Sequence, residues 1–270
     1  MQGPIAQALA LTCVGNGVLR GREVAGFWPN ADVFRFSKSC DFRRVEGERD
    51  ELVAADPLAW FAMLRASDCK GLRLHHAQRR RGQNQTIPVS DRDLVGFVGG
   101  GPAWLIEQVG GEQSAIWQGW DRLGDRDDPE RKIWLNTYLR QSETAPLDLS
   151  AAPLGEIASS LTPILVEMEK LANKIGAGDF AEIFRDARAA AGGAGPLCPP
   201  SDFTNYAALD DEQARLLATL EASWVFGGMG SWNDVGVPPD DAPDYQRLSD
   251  ALFGALNDAI RGLANSTFAV

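Results

Sequence analysis

The stretch Trp104-Leu105-Ile106-Glu107-Gln108-Val109-Gly110-Gly111-Glu112-Gln113-Ser114-Ala115-Ile116-Trp117-Gln118-Gly119-Trp120 decides the fold. Two apolar and aromatic runs flank a Gly-Gly pair, which supplies the positive φ angles of a tight hairpin turn. The spacing predicts antiparallel strands over 104–109 and 114–120. After a charged loop at 125–130, residues 132–140 alternate again and predict a third strand of one meander. In that strand Ile133, Leu135, Thr137 and Leu139 point one way, and Trp134, Asn136, Tyr138 and Arg140 the other. The first face is expected to pack on helices. The second mixes aromatic with polar groups, a composition enriched at recognition surfaces, which makes Trp134, Asn136 and Tyr138 candidate binding residues. The alternative for that face is a small second core layer under the N-terminal strands.

Upstream, the pattern reads mostly as strands. Residues 9–14 and 18–20 flank Gly15-Asn16-Gly17, expected to be a hairpin or bulged turn. Short strands are expected at 33–36, 42–45, 71–76 and 94–98, the last stopped by Gly99-Gly100-Gly101-Pro102. Asp56-Pro57 is a helix start, an N-cap acceptor before a proline at the first helical position, with Gly71 placed to end that helix. Residues 77–90, including Arg79-Arg80-Arg81, read as a polar loop.

Downstream the period changes to helical. Ile157, Leu161, Leu165, Met168, Leu171 and Ile175 recur at helical spacing, interrupted at Pro163 by a kink or a new start. Asp179 to Glu182 resembles a capping box for a second helix, and Asp210 opens another with Leu217, Leu220 and Trp224 inward. Residues 192–206 read as an internal linker. The last helix spans about 245–265 with Leu248, Leu252, Leu256, Ile260 and Leu263 on one face. Strands first and helices after imply one α+β domain over 1–270. It would have a mainly antiparallel sheet from the N-terminal half and a C-terminal helical layer on one face.

The charge is lopsided. Residues 1–140 hold 19 basic and 18 acidic side chains, whereas residues 141–270 hold 7 and 19, a net of −12 for the second half. Such a field repels nucleic acid and anionic lipid and favours a basic partner. No apolar run approaches the roughly 18 residues that cross a bilayer. Met1 to Thr12 lacks the basic residues of a secretory signal, and Cys13, Cys40, Cys69 and Cys198 are too scattered for a zinc site. A cytoplasmic protein with reduced cysteines and no metal or other cofactor is expected.

Catalytic signatures are sparse. His75 and His76 are adjacent on a predicted strand and so point to opposite faces, unable to share a metal. The glycines at 99–101 follow a strand without the Gly-Lys-Ser/Thr of a phosphate loop. Between the helices lies Trp224-Val225-Phe226-Gly227-Gly228-Met229-Gly230-Ser231-Trp232-Asn233-Asp234, either a tight corner or the wall of a site. Asp234, Asp240, Asp241 and Asp244 crowd the loop that follows, without the spacing of a calcium loop. These features point first to a non-enzymatic protein-binding protein whose acidic half engages a basic partner, as an immunity or antitoxin-type inhibitor would. The alternative is an enzyme or small-molecule binder with its pocket where Trp224 to Asp234 meets the sheet, the polar groups of Asn233, Asp234 and His75 converging there among aromatics such as Trp224 and Trp232. A third reading is a structural partner that uses the Trp134/Tyr138 face in a larger assembly.

Overall fold

The computed structural model describes residues 1, 3–77, 90–110, 114–141, 152–193 and 201–268. In chain order it contains α1 (Gly3–Leu19), α2 (Phe27–Asn30), β1 (Ser37–Glu46), β2 (Arg49–Ala54), α3 (Pro57–Ala66), β3 (Cys69–Ala77), α4 (Asp91–Leu94), β4 (Ala103–Gly110), β5 (Ala115–Leu123), β6 (Trp134–Arg140), α5 (Leu154–Lys174), α6 (Gly178–Ala191), α7 (Asp211–Ser223) and α8 (Ala242–Ser266). Six strands form one sheet in the order β2-β1-β6-β5-β4-β3. The meander β4-β5-β6 is antiparallel throughout, and among the described pairings only β1 with β6 is parallel. This is an α+β fold with the sheet in the N-terminal half and helices mainly in the C-terminal half. Helices α1, α3 and α8 meet the sheet, α5 and α7 pack on α8, and α6 packs on α5 and α7. No described helix is long and apolar enough to cross a membrane.

The largest departure from the sequence reading is α1. Residues 3–19 are helix, where a hairpin was expected around Gly15-Asn16-Gly17. Thirteen of its seventeen residues are buried, so it is enclosed on all sides. A helix wrapped by the core on every side shows no periodicity for a sequence pattern to report. The glycine that resembled a turn serves close packing instead. A Cβ at Gly15 would lie 2.5 Å from Leu72 Cδ1 and 3.1 Å from the Phe61 ring.

Asn16 also has a packing role. Its Nδ2 donates to Leu72 O at 2.9 Å, and Leu72 N–H donates to Asn16 Oδ1 at 2.7 Å. Near the other end of the chain Asn265 repeats the pattern on the same strand. Leu74 N–H donates to Asn265 Oδ1 at 2.6 Å, and Asn265 Nδ2 donates to Leu74 O at 3.1 Å. Since β3 is an edge strand, Leu72 and Leu74 turn their backbone groups away from β4, and two carboxamides pair with them as a strand would. A second donation from Asn16 Nδ2, to Thr267 Oγ1 at 2.9 Å, ties the end of α8 to α1.

The buried face of the sheet is also the reverse of the one expected. Asn136 and Tyr138 lie opposite Cys40 and Phe42 of β1 and opposite Asp121 and Gly119 of β5, all turned toward the helices. Tyr138 stacks on Phe42 at 5.2 Å, and Phe42 stacks on Trp60 of α3 at 4.3 Å. Large rings bury the most area, so the aromatic row goes inward, and Leu135 and Leu139 are left half-buried on the other face.

Smaller corrections follow from local capping. Residues 32–34 form one 3₁₀ turn before β1 begins, in place of a strand at 33–36. The expected strand at 94–98 is a turn of helix plus loop, because Ser90 and Asp93 form a reciprocal capping box that starts α4. Helix α3 starts at the expected Asp56 cap but ends at Ala66, and Gly71 belongs to β3. Pro163 lies inside a continuous α5. Helix α6 starts at Gly178 without a side-chain cap, so Asp179 sits in its first turn, whereas Asp210 and Gln213 do form the box that opens α7. Strand β2 was not anticipated. The Gly110-Gly111 turn beyond Gly110, the arginines at 79–81 and Cys198 fall outside the described residues.

Removing either asparagine carboxamide leaves one backbone N–H and one C=O of β3 unpaired. Asn265→Ala is expected to destabilise the protein by about 1–3 kcal/mol in urea unfolding. It should also raise amide hydrogen exchange at Leu74 more than at Leu72. Equal exchange at the two positions would refute the edge-pairing role.

Candidate functional site

A cavity of about 540 Å³ opens between the first turns of α1, the inner sheet face and the 95–102 loop. Its floor is built by the strand register. Asn136 of β6 is flanked by Cys40 on one side and Asp121 on the other, and Asp121, Asn136 and Tyr138 line the cavity. Trp104, at the start of β4, supplies a wall, as does Gln7 of α1. Gln7 is held in place by donating from Nε2 to Val33 O at 2.9 Å and Ser37 Oγ at 3.1 Å.

Two polar atoms in this lining are buried and have no hydrogen-bond partner. Asn136 Nδ2 donates to Asp121 Oδ1 at 2.5 Å, which fixes the amide orientation and leaves Oδ1 as an unpaired acceptor. The opposite orientation would set the amide oxygen against a carboxylate. The second atom is Trp104 Nε1, an unpaired donor. Asn136 is 3 % exposed and Trp104 6 %. A buried polar group without a partner costs about 1–3 kcal/mol, and such groups concentrate where a ligand or water completes the bonding.

The Cys40 thiol and the Tyr138 phenol at the floor stay neutral near neutral pH. Burial pushes the Cys40 thiol well above its usual range, and the Asp121 and Asp41 carboxylates push it further. Burial, then Cys40 and Asp121, do the same to the Tyr138 phenol. The described lining contains no histidine. His75 faces the other side of the sheet, where its Nε2 is 2.8 Å from Glu107 Oε2 with both side chains buried. His76 shares the inner face and sits against Trp104 with ring centroids 5.3 Å apart, its Nε2 3.3 Å from Asp258. Burial lowers its pKa. The cavity is therefore equipped to stack on and hydrogen-bond a ligand, and its lining also includes Ser201, whose hydroxyl donates to the Glu221 carboxylate.

The mouth is apolar. Phe36, Phe97 and Val98 line it at 46 %, 69 % and 64 % exposure. The loop that carries Phe97 and Val98 turns at Gly99 and Gly101, with φ of 72° and 75°. The Trp224–Asp234 corner holds this loop. A Cβ at Gly96 would lie 2.3 Å from the Gly227 carbonyl oxygen, so the two backbones touch. Arg92, 3 % exposed, donates to Asn233 Oδ1 at 2.8 Å, Asp250 at 2.7 Å and Gln246 at 2.9 Å, and Asn233 Nδ2 donates back to Arg92 O at 3.0 Å.

The sequence-derived site residues therefore separate into three places. Trp134, Asn136 and Tyr138 line the cavity. Trp232 and Asn233 brace its loop from behind. Trp232 is fully buried, donates to Ser249 at 2.7 Å and is ringed by Phe180, Phe184 and Tyr245. Asp234 accepts from the N–H groups of Gly230 and Ser231 within its own turn. Trp224, expected to be largely buried, is only half-buried at the end of α7, against Phe226 and Phe253. In the acidic loop, Asp241 is buried and paired with Lys174, Asp244 is paired with Arg247 at 2.8 Å, and Asp240 is exposed. Lys174 and Arg247 thus offset part of the loop's charge. Trp104, Asp121, Gln7 and Phe97 were not singled out from the sequence. The available signal was register, since a fixed meander places Asp121 beside Asn136. Among the described residues no group of three or more His, Cys, Asp or Glu is placed to hold a metal ion. No family model, curated protein or solved structure matches the chain.

The contact at Gly96 gives a test of the bracing. Gly96→Ala is expected to cost about 1–3 kcal/mol, because backbone rather than a flexible side chain must give way. Gly236→Ala, with nothing within 4 Å of the new methyl, should stay within about 0.5 kcal/mol of wild type. Equal effects in chemical unfolding would show that the corner does not hold the loop.

Proposed function

We propose that the protein binds a small amphipathic organic molecule in the cavity between α1 and the sheet. The observation that carries this reading is the pair of buried, unpaired polar atoms of opposite character, Asn136 Oδ1 and Trp104 Nε1, in one lining. The volume of about 540 Å³ falls in the range of small-molecule sites, and apolar walls with a few convergent polar groups are their usual composition. The exposed rings at the mouth support entry from that side.

The test is a fragment screen by NMR on ¹⁵N-labelled protein, read at the Trp104 indole N–H. A bound fragment is expected to shift that resonance. Asn136→Leu, which removes the acceptor and keeps the volume, should weaken binding about tenfold, the equivalent of one hydrogen bond. Fragments that bind without moving the Trp104 signal would overturn the reading.

A second reading rests on the net charge of −12 over residues 141–270, which supports encounter with a basic protein. It ranks below the cavity because Asp241 and Asp244 are already paired with cations. Its expected outcome is a partner whose association slows as salt rises from about 0.1 M to 1 M, where the screening length falls to about 3 Å. Association independent of salt would remove it.

A further inference from the structure

Resting on the cavity reading, we infer that the ligand is a single-tailed amphiphile that binds head first, with a hydroxyl or amide head at the floor and an apolar tail lying across the mouth. The polarity of the cavity runs opposite to that of an ordinary protein surface. Its two unpaired polar atoms, Asn136 Oδ1 and Trp104 Nε1, belong to buried side chains, whereas Phe36, Phe97 and Val98 at the mouth are exposed. A ligand that matches this order carries its hydrogen-bonding groups inward and its hydrocarbon outward. There the tail and the three mouth side chains shield one another from water. The head needs both kinds of polar group. Asn136 Oδ1 is an acceptor, so the head donates an O–H or N–H to it. Trp104 Nε1 is a donor, so the head also carries an oxygen acceptor. Strand β5 separates β6, which carries Asn136, from β4, which carries Trp104. The two strands therefore stand about 10 Å apart, and the donor and the acceptor of the head are different atoms.

The exposure of the mouth is built into the backbone. Gly100 N–H donates to Phe97 O at 2.8 Å and closes a turn with Val98 and Gly99 at its centre. Gly99 has a φ of 72°, the left-handed value that a type II turn requires at its third residue. Immediately upstream, the backbone contact of Gly96 with Gly227 holds the base of the turn. Phe97 and Val98 are thus presented outward by a defined turn and not by a frayed one. Among the described residues only Met229 is a more exposed large apolar side chain. Phe36 reaches the same mouth from the segment before β1. Three large apolar side chains from two segments, held at one opening, form a surface that hydrocarbon covers favourably.

The test uses the monobutyl, monohexyl and monooctyl ethers of ethylene glycol, each below its micelle concentration, and the same ethers with the hydroxyl capped by methyl. Each is titrated into the full chain and followed at the Trp104 indole resonance. Affinity for the hydroxyl ethers is expected to rise with chain length, by roughly fourfold for each methylene that becomes buried. Capping the hydroxyl removes the donor and should weaken every length about tenfold, the equivalent of one hydrogen bond. Phe97→Ser combined with Val98→Ser should flatten the dependence on chain length and leave the butyl ether nearly unchanged. Asn136→Leu should weaken all the hydroxyl ethers by one common factor and leave the capped ethers unchanged. Should that variant fail to fold, the capped ethers supply the head measurement on wild type. A chain-length dependence that survives the Phe97 and Val98 substitutions overturns the inference, because the tail would then lie inside the cavity. A methyl cap without effect overturns it as well. Ethers that shift Trp104 with either of those outcomes leave the cavity reading standing. Failure of every ether overturns the inference alone if other fragments bind, and removes both readings if the fragment screen also fails.

Discussion

The open edge of β3 is closed by two side-chain amides, and the placement of α1 follows from that closure. A strand edge exposes a row of N–H and C=O groups that water, another strand or another chain must satisfy. Here Asn16 and Asn265 satisfy Leu72 and Leu74 with both halves of each backbone pair. The two asparagines come from opposite ends of the chain, so the edge can be completed only after α1 and α8 have both docked. Thr267 adds a direct bond between them. The N- and C-terminal helices are thereby registered on the same strand to within one residue pair.

Helix α1 then links that edge to the cavity. It is 17 residues long, about 25 Å from end to end. Asn16 near one end pairs with β3, and Gln7 near the other bonds Val33 and Ser37 at the cavity wall. Fixing one end of a straight, fully packed rod constrains the other. The shape of the cavity therefore depends on hydrogen bonds at the far end of the helix, through packing rather than through any contact with a ligand. The second wall is fixed in a comparable way, by Arg92 and the backbone contact of Gly96 with Gly227. The aromatic corner, the oddest segment of the sequence, stabilises the site from outside it.

The floor shows why polar groups persist in an aromatic core. Phe42, Trp60, Trp117 and Tyr138 form one stacked and edge-on cluster, and Asn136 and Asp121 lie in the next row along the same face. Filling those two positions with leucine would complete a conventional core. Instead the carboxylate and the carboxamide bond each other and leave one acceptor over. That leftover acceptor, with the indole N–H of Trp104, is the observation on which the proposed binding function rests.

The sequence by itself determined the meander, the order of strands before helices, and the capped starts of α3 and α7, because each rests on local periodicity or on a side chain within four residues. It also marked Trp134, Asn136 and Tyr138 as unusual. Only the tertiary structure decided which face of β6 was buried, since alternation defines two faces without saying which one the helices will cover. It likewise decided that Gly15-Asn16-Gly17 lies within a helix. Those residues resemble a turn when their partners are unknown, and their partners, Leu72, Phe61 and Thr267, lie 46 to 251 positions away. The cavity was illegible for the same reason. Its lining includes residues of α1, the 32–37 segment, β4, β5, β6 and the 95–102 loop, and no local pattern records that these segments enclose one space.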